Sequence, residues 1–324
     1  MLTLAVGVAL LVSLGACWDD EEEQVSAFKV ALLTPGSISD AGWNQGAYEG
    51  LKLIETELSA EIAHQETRTP QEFEAGFRDF AARDYDVVFG HGFEFQDAAA
   101  TVAAEYPKTI FITTSGNTVR PNVAPVVFEL EQATYVLGFI AAELSKSGKL
   151  GAVGGMKIPS VESTFKAFEA GALASRSTAI VTPVYIASWE DVGKAKEATL
   201  AQISQGADIL IHNADAAGQG FFQALKDSPG VIGFGTNRNQ NDLAPDSVLA
   251  SATLDIPRAL LLVAREVRDG QFTARPITYG LRDGVVGVIW NESLLEAVGG
   301  DVREQADGLI AQIESGALMV PRSF

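Results

Sequence analysis

From Phe28 onward, short apolar runs alternate with longer segments whose apolar positions recur every three or four residues, through two full cycles. The short runs fit buried strands and the longer segments fit amphipathic helices. In the first cycle Phe28–Thr34, Val87–Gly90, Thr109–Thr113 and Val123–Phe128 read as strands. Asn44–Leu58, Thr69–Arg83 and Ala98–Glu105 read as helices, the second led by Thr69 as a cap and Pro70 in its first turn. In the second cycle Lys149–Gly154, Ala179–Ile186, Ile209–His212, Gly230–Gly235 and Ser247–Leu254 read as strands. Its helices are expected over Glu131–Ser145, Val161–Ser175, Trp189–Gln205, Gly218–Leu225 and Arg258–Asp269. Strands that alternate with helices imply parallel sheets joined by crossover helices, and two cycles imply two lobes. The fold class is therefore α/β, with two doubly wound parallel-sheet lobes. Ligands of such sheets bind beyond the carboxyl ends of the strands. That rule selects the loops after Leu33, Phe89, Thr113, Gly154, Ile186, Ile211 and Phe234.

Leu2 to Ala16 forms the most continuously apolar stretch of the chain. It is short for a membrane span, which needs roughly 20 residues, and has the length of a signal-peptide core. It ends Leu14-Gly15-Ala16-Cys17, which resembles a bacterial lipobox, and Trp18 to Gln24 is acidic and polar. The expected organisation is a signal peptide over 1–16 and a lipidated tether over 17–27, with Cys17 as the anchor. No Lys or Arg precedes Lys29, so a start further upstream would supply the positive segment that usually opens a signal. The mature chain is expected outside the cytoplasm, on the membrane through its lipid alone.

Composition removes several functions. Lys and Arg number 23 against 42 Asp and Glu, a formal net charge of −19, which disfavours nucleic acid and anionic surfaces as partners. A single cysteine excludes an internal disulfide and a thiolate zinc site. Of the three histidines, His64 falls in a polar stretch and reads as a surface residue, while His91 and His212 each follow a strand and could face a cleft. Neither has a second ligand at metal-binding spacing. There is no G-x-S-x-G elbow, H-E-x-x-H pair or P-loop. The glycines of Gly151-Ala152-Val153-Gly154-Gly155 miss dinucleotide spacing and read as a tight turn with close packing. No enzymatic activity, cofactor or metal is expected.

The loop after the first strand, Thr34 to Gly50, carries Asp40, Trp43 and Asn44. An aromatic face beside two side chains with polar edges suits a planar heterocycle. The same residues also suit a helix cap and a tryptophan packed between lobes, and both readings stand at this level.

With the remaining landmarks, the chain resembles the basic membrane protein family of ABC-transporter lipoproteins, which includes purine-nucleoside receptors. The S-x-x-D-x-aromatic-N-Q-x-x-x-aromatic-x-G signature matches at Ser37, Asp40, Trp43, Asn44, Gln45, Tyr48 and Gly50. Ser115-Gly116-Asn117, Glu131 to Tyr135, Ser145 to Lys149, Gly151 to Gly155, Ser188 to Asp191, Gln205 to Asp208 and Gly218 to Gly220 follow in order. The resemblance covers essentially the whole mature chain. It implies a type I periplasmic-binding-protein-like receptor with three interlobe crossings, a hinge, an ABC permease as partner and a monomeric state. The implied lobes are 28–124 plus 256–280 and 125–255 plus 281–324. It also implies a purine held between two aromatics, which fall here on Trp43 and Trp189. Asp40 and Asn44 would meet the base edges, with Phe93 or Phe95 and Ser115 lining the first lobe.

Two departures bear on the ligand. Where the nucleoside receptors place an acid that clamps ribose, this chain has Asn237, and Asp215 in the neighbouring loop could supply a carboxylate or narrow the pocket toward a bare base. The basic residue near the last crossing would be Arg282, paired with cleft carboxylates or with Asp283. The expected function is capture of a purine nucleoside or nucleobase. The alternatives are a receptor for a sugar or another polar heterocycle, and a ligand-sensing surface lipoprotein.

Overall fold

The computed structural model describes residues 27–40, 42–298 and 300–322. Cys17, the leader over 1–16 and all but the last residue of the expected tether lie outside them. Two six-stranded sheets organise the chain. The first holds β1 (Lys29–Thr34), β2 (Glu61–Glu66), β3 (Val87–Gly90), β4 (Ile110–Thr114), β5 (Val123–Phe128) and β11 (Ile277–Tyr279). They lie in the order β11-β5-β4-β3-β1-β2, every pair parallel. The second holds β6 (Lys149–Gly154), β7 (Ile180–Tyr185), β8 (Ile209–Asn213), β9 (Ile232–Asn237), β10 (Val248–Leu254) and β12 (Val286–Trp290). Their order is β12-β10-β9-β8-β6-β7, parallel except for β12, which runs antiparallel to β10.

Helices cover both faces of each sheet, which is why the interior strands read as largely apolar runs while the edge strand β2 does not. On β1, Val30 and Leu32 pack in one cluster with α1 (Trp43–Leu58) and α8 (Ile256–Arg268), while Ala31 and Leu33 pack in another with α2 (Pro70–Ala82) and α3 (Gln96–Ala103). This is the two-residue period of a strand buried on both sides. In the second lobe α4 (Leu130–Leu144) packs against α5 (Pro159–Ser175), and α6 (Val192–Ser204) against α7 (Gly218–Lys226). The α4–α5 contact is backbone-close. A Cβ on Gly138 would lie 1.9 Å from the Phe168 carbonyl oxygen, and one on Gly171 2.0 Å from that of Tyr135. The helix α9 (Glu292–Val298) and α10 (Val302–Glu314), which meets α4, complete the chain.

The chain changes sheet after β5, after β10 and after β11, giving three crossings between lobes. The division expected between 124 and 125 falls inside β5, and the chain stays in the first sheet through Phe128. Pro125 does not end the strand. The carbonyl of Val126 accepts from Ser115 on the β4 side, so the missing N–H of Pro125 faces the β11 side, where pairing starts only at Val126.

The strand β2 was not anticipated, because an edge strand reading Glu-Ile-Ala-His-Gln-Glu shows no apolar run. His64 sits on it half-buried rather than on the open surface. Its Nε2 lies 2.9 Å from the Thr34 hydroxyl and its ring meets Tyr48 edge-on at 5.4 Å, so it ties the edge to β1 and α1. Burial lowers its pKa below the usual histidine value.

Candidate functional site

The carboxyl ends of both sheets face one cavity of about 540 Å³ between the lobes. Its lining comes from the carboxyl ends of β1, β3, β4, β6, β7, β8 and β9, the seven that the open-sheet rule selects here, together with Arg68 beyond β2, Phe128 and Leu130 at the end of β5 and Leu254 at the end of β10.

Trp43 opens α1 and lines the cavity. Its ring stacks on His91 at 4.1 Å and 23°, and Phe128 meets it edge-on at 5.8 Å. His91 is fully buried, and burial pushes its pKa down to about 3, so the ring is neutral. Its Nε2 lies 3.0 Å from the Trp43 carbonyl, which can only accept, so Nε2 carries the proton. Nδ1 then accepts from the Thr114 hydroxyl at 3.2 Å. His91 is thus a backing plate beneath Trp43 and not a cleft residue. His212 is likewise buried, donating from Nε2 to Gln240 at 2.9 Å, and burial lowers its pKa to about 4.

Trp189 reaches the cavity from a loop, whereas the helix expected from Trp189 begins at Val192. The Ser188 hydroxyl accepts from the N–H of Glu190 and Asp191, and Asp191 caps the helix by accepting from Lys194 N–H at 3.0 Å. These local bonds compete with helical ones and hold the start back. The Trp189 carbonyl accepts from Ala217 N–H at 2.8 Å. A Cβ on Gly155 would lie 2.3 Å from the Trp189 ring, so the indole rests on glycine backbone. Each tryptophan therefore has a backing, one a histidine ring and the other a bare peptide.

Asp40 lines the cavity and also holds the start of α1. Its carboxylate accepts from the N–H of Gly42 at 3.0 Å, Asn44 at 2.7 Å and Gln45 at 3.0 Å, replacing the cap that Gly42 lacks. Asn44 lines the cavity and is buried, and its Oδ1 has no hydrogen-bond partner. Phe93 and Ser115 also line it, while Phe95 turns into the core against Phe73 at 4.3 Å.

Among the described residues, four non-glycine residues within two positions of a strand's carboxyl end have positive φ: Ser115 at 60°, Ala187 at 56°, Asp215 at 47° and Asn237 at 69°. The left-handed region costs an L-residue about 1–2 kcal/mol, and such strain gathers at functional sites. Asp215 and Asn237 come from adjacent strands and both line the cavity, with Asn237 Nδ2 donating to Asp215 Oδ1 at 3.4 Å. The Asp215 carboxyl is pushed up to about 8, mainly by burial and further by Asp40 and Glu94, with the Asn237 amide opposing.

Arg282 is the one expected site residue that the fold places elsewhere. It is exposed, and its Nε donates to the Glu314 carbonyl at 2.7 Å, because the turn containing it faces α10. Asp283 serves its own turn, accepting from Gly280 N–H at 2.8 Å. The cation that does line the cavity is Arg68, just beyond β2. It bonds Glu66 at 2.6 Å and, across the lobes, Glu190 at 3.1 Å. A second ion pair between lobes joins Arg238 to Glu49 at 3.1 Å. Arg68 was missed with β2, since a polar edge strand hides the loop that follows it.

Residues 27–315 match the family described as ABC transporter substrate-binding protein PnrA-like. Basic membrane protein A2 of Borrelia garinii subsp. bavariensis is 27% identical over 302 residues, covering 90% of this chain and 88% of that one. The solute-binding protein of an ABC transporter system from Conexibacter woesei is 27% identical with a TM-score of 0.73, covering 92% of this chain and all of that one. A solute-binding protein from Aeropyrum pernix has a TM-score of 0.81 at 20% identity, over 91% of this chain and 94% of that one. The two-lobed fold, the cavity at its strand ends and the match along nearly the whole described chain agree: this protein belongs to the PnrA-like family of ABC transporter substrate-binding proteins.

Proposed function

We propose that this chain is a lipid-anchored receptor that captures a purine nucleoside or nucleobase between its lobes and presents it to an ABC permease. The observation that carries this reading is the pair of backed tryptophans. Trp43 lies on His91 at 4.1 Å and Trp189 on Gly155, and both line a cavity of about 540 Å³. Flat rings with one face supported suit a flat ligand, because the stacking surface is rigid before binding. The polar groups at its rim, Asp40, Asn44, Ser115, Asp215 and Asn237, suit a heterocycle with several donor and acceptor positions.

Binding by this reading breaks no bond. A ligand that contacts both lobes favours the closed arrangement over the open one by its differential contacts, and the crossings after β5, β10 and β11 act as the hinge. The ion pairs Arg68–Glu190 and Arg238–Glu49 span the lobes. Cys17, in the sequence Leu14-Gly15-Ala16-Cys17, is the proposed lipid site, and the permease the proposed partner.

The test is a thermal-shift series with adenosine, guanosine, inosine, their free bases, glucose and ribose. A ligand that binds only the folded chain raises its melting temperature with the logarithm of its concentration. Stabilisation by nucleosides or bases supports the reading, and a response to sugars alone overturns it. Loss of membrane association in Cys17→Ser supports the anchor; retained association removes it.

A further inference from the structure

Among the described residues four carboxyl groups line the cavity, Asp40, Glu94, Glu190 and Asp215, against one cation, Arg68. Arg68 is already engaged by Glu66 at 2.6 Å and Glu190 at 3.1 Å. In the turn after β8 Asp215 follows the neutral His212, from the β1–α1 loop it faces Asp40, from the loop after β3 it faces Glu94, and from β9 it meets only the Asn237 amide. Among the described residues no cation compensates it. Asn44 adds an independent mark of a missing ligand. It lines the same cavity with 7% exposure, and its Oδ1 is an acceptor without a donor. A cavity with surplus acceptors and surplus negative charge, between two indole faces, is complementary to a ring that brings positive charge and N–H groups. Cations are also attracted to indole faces.

Resting on the reading of the cleft as a heterocycle receptor, we propose that its preferred ligand is a planar heterocycle carrying a positive charge on the ring, with Asp215 as its counter-ion. Burial and the neighbouring acids keep the Asp215 carboxyl protonated in the empty cleft, with its pKa at about 8. A cation arriving beside it favours the carboxylate, so the proton leaves to solvent as the ligand binds. The overall step is neutral carboxyl plus cationic ligand giving an ion pair plus one released proton, and charge balances. Affinity for a fixed cation then rises with pH up to about 8 and levels off above it. A neutral ligand that accepts a hydrogen bond from the Asp215 carboxyl would show the opposite trend.

The experiment uses matched pairs on the mature chain: adenosine against 1-methyladenosine, and nicotinamide against 1-methylnicotinamide, whose charge does not depend on pH. Titration calorimetry is run at pH 6, 7 and 8 in buffers of differing ionisation enthalpy. The expected result is tighter binding of the cationic member by about tenfold or more, with close to one proton released at pH 7. Asp215→Asn should remove both the advantage and the release. Asparagine tolerates the left-handed backbone of this position, so the variant keeps its turn. Equal binding of the two members, tighter binding of the neutral one, or an advantage that survives Asp215→Asn without proton release overturns the charge proposal. Adenosine binding under those outcomes leaves the purine reading standing, whereas a chain that binds no heterocycle in either pair or among the purines overturns both.

Discussion

Asp215 should make the ligand-free protein less stable as pH rises. Its carboxyl moves from an ordinary value of 3.8 to about 8 on folding, chiefly through burial and then through Asp40 and Glu94. Between those two values the folded chain holds a proton that the unfolded chain has released. Stability is therefore unpenalised below 3.8, falls as pH rises through the window, and is flat again above about 8. At pH 7 the gap of roughly three pH units sets a ceiling of about 4 kcal/mol. Asp215 lines a cavity that water can enter, and opening of the lobes relieves the burial, so about 1–2 kcal/mol is the expected measured cost. Asp215→Asn keeps the shape, the left-handed turn and an acceptor for Asn237 while removing the titration. Thermal unfolding of both proteins at pH 4, 5, 6, 7 and 8 without ligand checks this. The variant should melt about 1.5–3 °C above the parent at pH 8, with the difference shrinking toward zero at pH 4. Parallel curves, or a gap that widens toward acid, would refute the claim that Asp215 sits unpaired among acids in the empty cleft.

Other consequences of the geometry are open to direct measurement. Trp43→Ala and Trp189→Ala should each weaken heterocycle binding by about 1–3 kcal/mol, as loss of aromatic stacking on a base does, and unchanged titration curves for both would remove the sandwich. Gly155→Ala keeps both indoles but sets a methyl group 2.3 Å from the Trp189 ring, so the ring must move and affinity should fall by roughly tenfold. Full affinity in that variant would show that the position of Trp189 is unimportant. The Arg68–Glu190 pair has exposed side chains, so a double-mutant cycle on ligand affinity should give a coupling below about 1 kcal/mol that fades with salt. A larger, salt-resistant coupling would contradict its place at the solvated rim. Arg282→Ala should leave ligand affinity within about twofold, because the guanidinium serves the Glu314 carbonyl outside the cavity.

What could be read in the sequence follows where each residue's burial comes from. Val87–Gly90, Val123–Phe128 and Lys149–Gly154 have the limits expected of them, because interior strands covered on both faces are apolar wherever they are buried. The same logic hides Glu61–Glu66, an edge strand whose identity comes from its hydrogen bonds to β1 and not from its side chains. Arg68 was lost with it. The helix expected from Trp189 failed for a local reason, the competing hydroxyl and carboxylate acceptors of Ser188 and Asp191. Asp40 shows that the two readings of the first loop were never exclusive. Three backbone N–H groups hold its carboxylate, and the same carboxylate lines the cavity.

The acid that the resemblance led one to seek at position 237 illustrates a further limit. A motif compared position by position registers Asn237 as a loss. In a parallel sheet, however, adjacent strand ends open on the same space, so the end of β8 and the end of β9 are interchangeable platforms for a side chain. Asp215 reaches the Asn237 amide at 3.4 Å from one strand away, and it does so through a left-handed turn that a spacing rule does not detect. The substitution is more than a relocation. In the turn after β8 the carboxyl is buried and stands near Asp40 and Glu94, and burial first, then those acids, give it a proton to hold or release. An acid one strand away from position 237 is thus a titrating group, and on the proposal above the choice between neutral and charged ligands turns on it.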